Sequence, residues 1–398
     1  MTRSEAETRD ARDPLRGFRD RFAIDREVVY LDGNSLGCMP HAALARLGEV
    51  AGVGWGDRGV RSWDEGWLDW PIEIGDRLGA AVLGAAPGQV VIGDSTTVCF
   101  YKLVCAALDA RPGRTQIITD LDNFPTDRYV LEGVARARDL ELTWLDGDPE
   151  TVAELVGADT ALVTFSHVSY RSARIADMAR INQVADDAGA LMLWDLSHSA
   201  GSVPLSLDGD HATLAVGCTY KYLNGGPGAP AYMYVRSELQ RDLRQPIWGW
   251  LGRRDPFEMA QGYDVAEGMR GFLSGTPPVL ALAAVDEGVR VVAEAGIDAI
   301  RAKGIALTEL AIGLADEFGI SVASPRDPAR RGAHVALSHR DAKALCAALI
   351  ERGVIPDFRR PDVIRFGFSP LTTRFVDVWD GMEALRELIA TAAPPGSG

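Results

Sequence analysis

The sequence predicts an α/β protein: a large domain on a mostly parallel seven-stranded sheet flanked by helices, plus a small α+β domain from the C-terminal part and the N-terminal arm. Two observations predict it. From about Gln89 to Pro230, short apolar runs alternate with helix-like stretches, the pattern of buried parallel strands crossed over by helices. Beyond a long helical pattern, the chain changes to shorter strand-like pieces around one helix, the pattern of a second, smaller layer.

The N-terminal stretch MTRSEAETRDARDPLRGFRDRF is charged throughout and lacks the apolar core of a secretory signal, so it reads as a mobile arm followed by a short helix. QVVIGD, RTQIITD, ELTWLD, ALVTFSH, ALMLWD, LAVGCTYKY and APAYMYV each read as a buried strand. STTVCFYKLVCAALDA and ADMARINQVADDAGA are helices between them. The turn-rich RQPIWGWLGRRDPFE precedes one long helical pattern from about Pro278 to Phe318, a bridge between domains. AHVALSH, a helix through DAKALCAALIERG, VIPDFR and VIRFGFS complete the small layer. The expected division is 1–55 for the arm and part of the small domain, 56–280 for the large domain, and 281–398 for the linking helix and C-terminal small domain. The APPGSG tail is the one low-complexity piece, and no repeat or long linker separates modules.

A chain of 398 residues buries most of its surface and has room for a catalytic cleft. With 47% hydrophobic and 24% charged residues and no run near the roughly eighteen apolar residues of a span, membrane residence is not expected. The net charge of -15 opposes the basic surface that nucleic acid requires. The cysteines, Cys38, Cys99, Cys105, Cys218 and Cys346, are odd in number and lack C-x-x-C pairing, so they read as free thiols in a reducing cytoplasm.

The strongest chemical signal is WDLSHSAG at 194–201 with GCTYKYLNGGPG at 217–228, each ending an apolar run in reactive groups. Strand ends in an open parallel sheet border the ligand crevice, so Asp195, His198, Tyr220 and Lys221 could converge there. Pyridoxal phosphate needs an amine for its aldehyde, an acid at its pyridine nitrogen, donors for its phosphate and a flat group on its ring. Lys221, Asp195, the hydroxyls of Thr96 and Thr97 at a helix start, and Phe124 are candidates in that order. Each has a plainer alternative. Lys221 could be solvated, Asp195 or the STT segment could cap a helix, and Phe124 could be core. The joint occurrence favours the cofactor.

On these residues the chain resembles the kynureninases, within the pyridoxal-phosphate enzymes of the aspartate-aminotransferase fold. The resemblance runs from about Val28 to Trp379 through YLDGNSLG, RSW at 61–63, DSTTV, DNFPTDRYV, HVSYRSA, WDLSHSAG, GCTYKYLNGGPG, WGW, SGTPP, RGAHVALSH and RFGFSPL. It implies hydrolytic cleavage of the side-chain carbon–carbon bond of L-kynurenine, or of a ring-substituted analogue such as 3-hydroxykynurenine, to anthranilate and L-alanine. The setting would be tryptophan degradation or supply of an anthranilate precursor. By resemblance, Lys221 is the Schiff-base lysine, Asp195 the acid at the pyridine nitrogen and Tyr220 a phosphate contact that helps proton transfer. Phe124 is the stacking aromatic, and Thr96, Thr97, Asp127, Ser166 and His198 are further groups around the cofactor. Arg365 matches the substrate-carboxylate arginine, a role for a bidentate fork. Ser35, Trp63 and Gly275 match substrate-site residues, the last two bordering the substrate ring in the bacterial type. Trp250 and Thr276 match cofactor-site residues supplied by the neighbouring subunit, which implies a homodimer with shared active sites.

Some positions depart from the family pattern. Cys99 stands where asparagine is common, HVSYRSA replaces a version with asparagine, threonine and glycine, and Trp248 replaces a small residue; Trp248 and Cys99 bear on the shape of the substrate pocket. Trp55, Trp63, Trp67 and Trp70 fall at helical spacing, which for most of them predicts core positions. A desulfurase on the same fold would need a mobile nucleophilic cysteine, whereas Cys346 lies in a helical pattern and reads as core. A metal-dependent hydrolase would need clustered histidines, and His41, His167, His198, His211, His334 and His339 form no such set. A regulator that senses the cofactor would carry an added DNA-binding segment, for which neither end has room or charge.

Overall fold

Each of the seven apolar runs becomes a strand of one sheet in the computed structural model, which describes residues 2–392; the APPGSG tail lies outside the described residues. The strands are β1 (Val90–Ile92), β2 (Gln116–Asp120), β3 (Glu141–Leu145), β4 (Thr160–Ser166), β5 (Leu191–Asp195), β6 (Leu214–Gly217) and β7 (Tyr232–Val235). Their order across the sheet is β1-β7-β6-β5-β4-β2-β3, and only β7 runs against the others. The runs read as apolar throughout because both faces are covered. Val163, Phe165, Met192 and Trp194 point into one core, and Leu162, Leu191 and Leu193 into another.

Helices α1 (Arg3–Arg12), α2 (His41–Glu49), α3 (Trp70–Leu78), α4 (Thr96–Asp109), α5 (Pro125–Arg138) and α6 (Met178–Asp187) come before or between these strands. Helices α4 and α5 cover one face of the sheet; α3, α6 and α7 (Val279–Ala295) cover the other. After α8 (Ile297–Phe318) comes a second, antiparallel sheet of β8 (Ser321–Val322), β9 (His334–Ser338), β10 (Asp357–Arg359) and β11 (Val363–Gly367), in the order β8-β9-β11-β10. Val335, Leu337, Ile364 and Phe366 on one of its faces join α8, α9 (Ala342–Glu351) and α10 (Phe375–Ala392) in a third core. Its other face is polar. His334 pairs with Gly367 and Asp357 with Arg365, and the period-two alternation of strands puts these side chains together.

Four expectations need correction. The long helical pattern is two helices, because Gly296 adopts φ 78°, in the left-handed region that glycine enters freely, and breaks it. VIPDFR is split: Val354–Ile355 pairs in parallel with Val29–Tyr30, while Asp357–Arg359 forms β10, and Pro356 between them has no N–H for a ladder. The N-terminal stretch is helical from Arg3. Helix α1 docks on α10 through Arg3 and Asp380 at 2.8 Å, and the Asp10 carboxylate accepts from the Phe375 and Val376 amides at 2.7 and 3.0 Å, capping α10. Of the four tryptophans only Trp70 packs against a core cluster. Trp55 is 66% exposed, Trp63, Trp67 and Trp70 are half-buried, and residues 50–58 form a wide π-helix.

Candidate active site

The C-terminal ends of β4, β5 and β6 lie side by side, with Ser166 in register with Asp195. Asp195 ends β5, and its carboxylate accepts from the Ser197 amide at 2.7 Å. Past β6 the chain turns back through Tyr220 and Lys221, whose carbonyl receives the Asn224 amide at 3.0 Å. Gly37 of YLDGNSLG donates to the Tyr220 carbonyl at 2.8 Å, and a Cβ there would stand 2.2 Å from the Lys221 carbonyl oxygen, so only glycine allows the approach.

Lys221 is buried, with Nζ 3.4 Å from both ring nitrogens of His198, 5.7 Å from the Phe124 ring centroid and 6.0 Å from that of Tyr220. Burial, then the charge of Lys221, push His198 well below the usual histidine range, so its imidazole is neutral. Burial raises the Tyr220 hydroxyl. Asp127, from the first turn of α5, is buried and its Oδ2 faces no donor. Burial first, and the neighbouring Asp195 second, push Asp127 well above the usual carboxylate range.

Phe124 opens α5 and is set by Asn123, whose Oδ1 accepts from the Phe124 amide and from Ser166 Oγ, both at 2.8 Å. Thr96 and Thr97 stand in the first turn of α4, half-buried and exposed, after Ser95, whose hydroxyl accepts from the Val98 amide at 3.4 Å. That turn presents hydroxyls and backbone N–H groups at a positive helix end. An amine, a buried acid pair with an unmet oxygen, a flat ring beside the amine and an open helix start are the set that pyridoxal phosphate requires, so the residues present fit it.

Arg365 approaches from the small sheet, fully buried. Its Nε donates to Asp357 Oδ1 at 2.7 Å, Nη2 to Asp357 Oδ2 and at 3.3 Å to Ser35 Oγ, and Nη1 to the Tyr170 carbonyl. Tyr170 in turn packs edge-on against Phe124, ring centroids 5.3 Å apart. Sequence reasoning missed Asp357, Tyr170 and Asn123. Asn123 lies within DNFPTDRY and was within reach, whereas Asp357 and Tyr170 are defined only by the facing of the two sheets.

Trp63 and Thr276 are elsewhere. They line an apolar groove of about 740 Å³ with Trp55, Val60, Trp67 and Pro277. Among the described residues, no hydrogen bond or ring contact joins Trp250, Gly275 or Thr276 to the Lys221 cluster. Cys99 is core, its thiol 2.7 Å from the Gly93 carbonyl, so it does not shape a pocket. Trp248 is 64% exposed and stacks on Tyr263. No group of histidine, cysteine or acidic residues among those described could hold a metal.

Residues 300–385 match the family described as the kynureninase C-terminal domain. Kynureninase of Burkholderia pseudomallei strain K96243 is 44% identical over 403 residues, covering 98% of this chain and 96% of its own. That of Pseudomonas fluorescens is 41% identical over 398 residues, covering 98% and 95%. Among solved structures, a cysteine desulfurase from Thermococcus onnurineus NA1 superposes with a TM-score of 0.83 at 19% identity, covering 94% of this chain and 98% of that one. A mutant of C-DES, with glycine covalently linked to its pyridoxal-phosphate cofactor, gives 0.82 at 18% identity, covering 93% and 99%. These two likenesses are of fold.

Proposed function

The chain belongs to the kynureninase family, and we propose that Lys221, Asp195 and Phe124 hold its pyridoxal phosphate at the strand ends. It is a pyridoxal-phosphate-dependent hydrolase that cleaves the side chain of L-kynurenine to anthranilate and L-alanine. The observation that carries the site is the buried Lys221 amine beside the Phe124 ring, on the strand ends that also bear Asp195.

When bound, pyridoxal phosphate supplies a sink for the electrons released at the substrate α-carbon. Lys221 Nζ would hold the cofactor's aldehyde carbon and would serve as the base for the substrate α-proton. Asp195, fixed by the Ser197 amide, would meet the pyridine nitrogen. Thr96 and Thr97 meet the phosphate, with Tyr220 close to Lys221 as a proton carrier. Arg365, steadied by Asp357, takes the substrate carboxylate. Water adds its hydroxyl to the γ-carbonyl carbon and a proton reaches the β-carbon as the bond between them breaks.

The working form is a homodimer. The groove of Trp55, Val60 and Trp63 is apolar and open, with Val60 79% exposed, and Thr276 beside it suits a residue offered to a partner's site. Trp63 and Gly275 border the substrate ring in that assembly and favour the unhydroxylated substrate. The location is the cytoplasm, in keeping with unpaired cysteines; no helix among the described residues is long and apolar enough to cross a membrane. Desulfurase chemistry is disfavoured because burial pushes all five thiols up, Cys346 to about 11, so none is a ready thiolate.

The test is an absorbance spectrum of the purified protein with and without L-kynurenine and 3-hydroxykynurenine, with alanine release followed in parallel. A visible cofactor band lost in Lys221→Ala, and alanine from L-kynurenine, are expected. A colourless protein that takes up no pyridoxal phosphate overturns the reading.

A further inference from the structure

Building on the kynurenine-cleaving reading, we infer that His334 is a substrate-binding residue whose imidazole donates a hydrogen bond to the substrate α-carboxylate beside Arg365. His334 is fully buried, yet among the described residues neither ring nitrogen has a hydrogen-bond partner. Buried polar groups are nearly always paired, so an imidazole unmet at both nitrogens is a standing cost that a ligand would relieve.

The surroundings identify the ligand. On β9, His334 pairs with Gly367, two residues along β11 from Arg365, so the two side chains are diagonal neighbours on the polar face of the small sheet. Gly367 leaves the space in front of that face to Asn34, since a Cβ there would stand 1.6 Å from the Asn34 side-chain amide. The His334 ring lies 5.9 Å from the His198 ring, whose nitrogens are 3.4 Å from Lys221 Nζ. His334 therefore stands between the amine that meets the substrate nitrogen and the guanidinium that meets its carboxylate.

Arg365 alone is poorly placed to satisfy both carboxylate oxygens. Its Nε and Nη2 are held by Asp357 and its Nη1 by the Tyr170 carbonyl, so an incoming carboxylate gains little beyond the bonds it displaces. A second, uncommitted donor is needed; among the unpartnered groups near Arg365, which include the Tyr222 hydroxyl and Arg359 Nε, His334 is the one whose ring also lies beside His198 and so towards Lys221. Burial, then the charge of Arg365, push His334 well below the usual histidine range. It meets the carboxylate as a neutral ring with one N–H, adding no positive charge beside Lys221.

The experiment is steady-state kinetics on the pyridoxal-phosphate-loaded protein and its His334→Leu, His334→Phe and His334→Gln variants. Binding of the decarboxylated amine analogue of kynurenine is read alongside from the cofactor spectrum. His334→Leu is expected to raise KM for L-kynurenine roughly ten- to a hundredfold with little change in kcat, the loss of one hydrogen bond to a charged group. His334→Gln, which keeps a neutral donor, recovers most of it. The amine without a carboxylate binds wild type and His334→Leu alike. His334→Phe fills the space without a donor and takes the place of the leucine variant if that one does not fold. Normal turnover by the wild type with unchanged KM in the apolar variants, or an equal loss of affinity for the carboxylate-free amine, overturns the role of His334 alone. Absence of alanine release from the wild type overturns the activity reading as well.

Discussion

Asp127 and Asp195 share one buried space, where burial and then the neighbouring carboxyl push Asp127 well up. Asp127→Asn, of the same shape and never charged, should leave the affinity for pyridoxal phosphate nearly unchanged. Asp127→Ala should weaken it roughly tenfold or more, since it removes a polar neighbour of Asp195 and leaves a cavity there. Titration of the apoprotein with cofactor, followed by fluorescence, separates the two. Asp120, buried at the end of β2, is pushed by burial to about 7. A carboxyl whose folded value lies above its unfolded one stabilises the protein at low pH, and that stability is lost as pH rises to about 7. Asp120→Asn should therefore gain about 2 kcal/mol over the parent between pH 5.5 and 8, at about 1.4 kcal/mol per pH unit up to the folded value. Urea unfolding at the two pH values reads it; a constant difference would refute it. At this scale the sequence pointed to Lys221, Asp195 and Phe124 through their motifs and to Asp127 through the family resemblance, and the fold brings Lys221 and Phe124 together. His334 and Asp357 stayed hidden: their meaning lies in facing residues that are far away along the chain, and no local pattern records that.

Among the elements, the seven strands were legible because their apolar runs are buried on both faces and short. The break at Gly296 was not, since a helical pattern continues unbroken in hydrophobicity across a glycine whose φ alone decides the matter. Nor was the docking of α1, whose composition is charged. Its end is held by Asp13, paired with Lys303 of α8 at 2.6 Å, both nearly fully buried. Removing one partner of a buried pair leaves an uncompensated charge, so Lys303→Met should cost about 3 kcal/mol or more. The Asp13→Leu, Lys303→Met double variant should recover most of that loss. Thermal or denaturant unfolding of both proteins tests this; a double variant as unstable as the single one would contradict it.

For the whole molecule, the open groove predicts association. Val60→Glu places a charge in the apolar patch of Trp55, Trp63 and Trp67. It should shift the protein from dimer to monomer on light scattering and cut turnover at least about tenfold, the cost of one carboxylate in an apolar interface. A fully active monomer would count against shared sites. Legibility was lowest here: the tryptophan spacing suggested core, whereas Trp55 is exposed and Trp63 and Trp67 are half-buried along an open groove.

The cap that Asp10 places on α10 joins segments 365 residues apart along the chain. On the ribosome these segments appear far apart in time. Helix α1 emerges while the amides it will bind at Phe375 and Val376 are still untranslated, on the order of twenty to seventy seconds behind at common elongation rates. The strand ends bearing Lys221 and Asp195 are synthesised well before Arg365 and His334. Each nascent copy thus makes the proposed cofactor side of its site before the proposed carboxylate side, and α1 must wait for its partner until Phe375 and Val376 have been made.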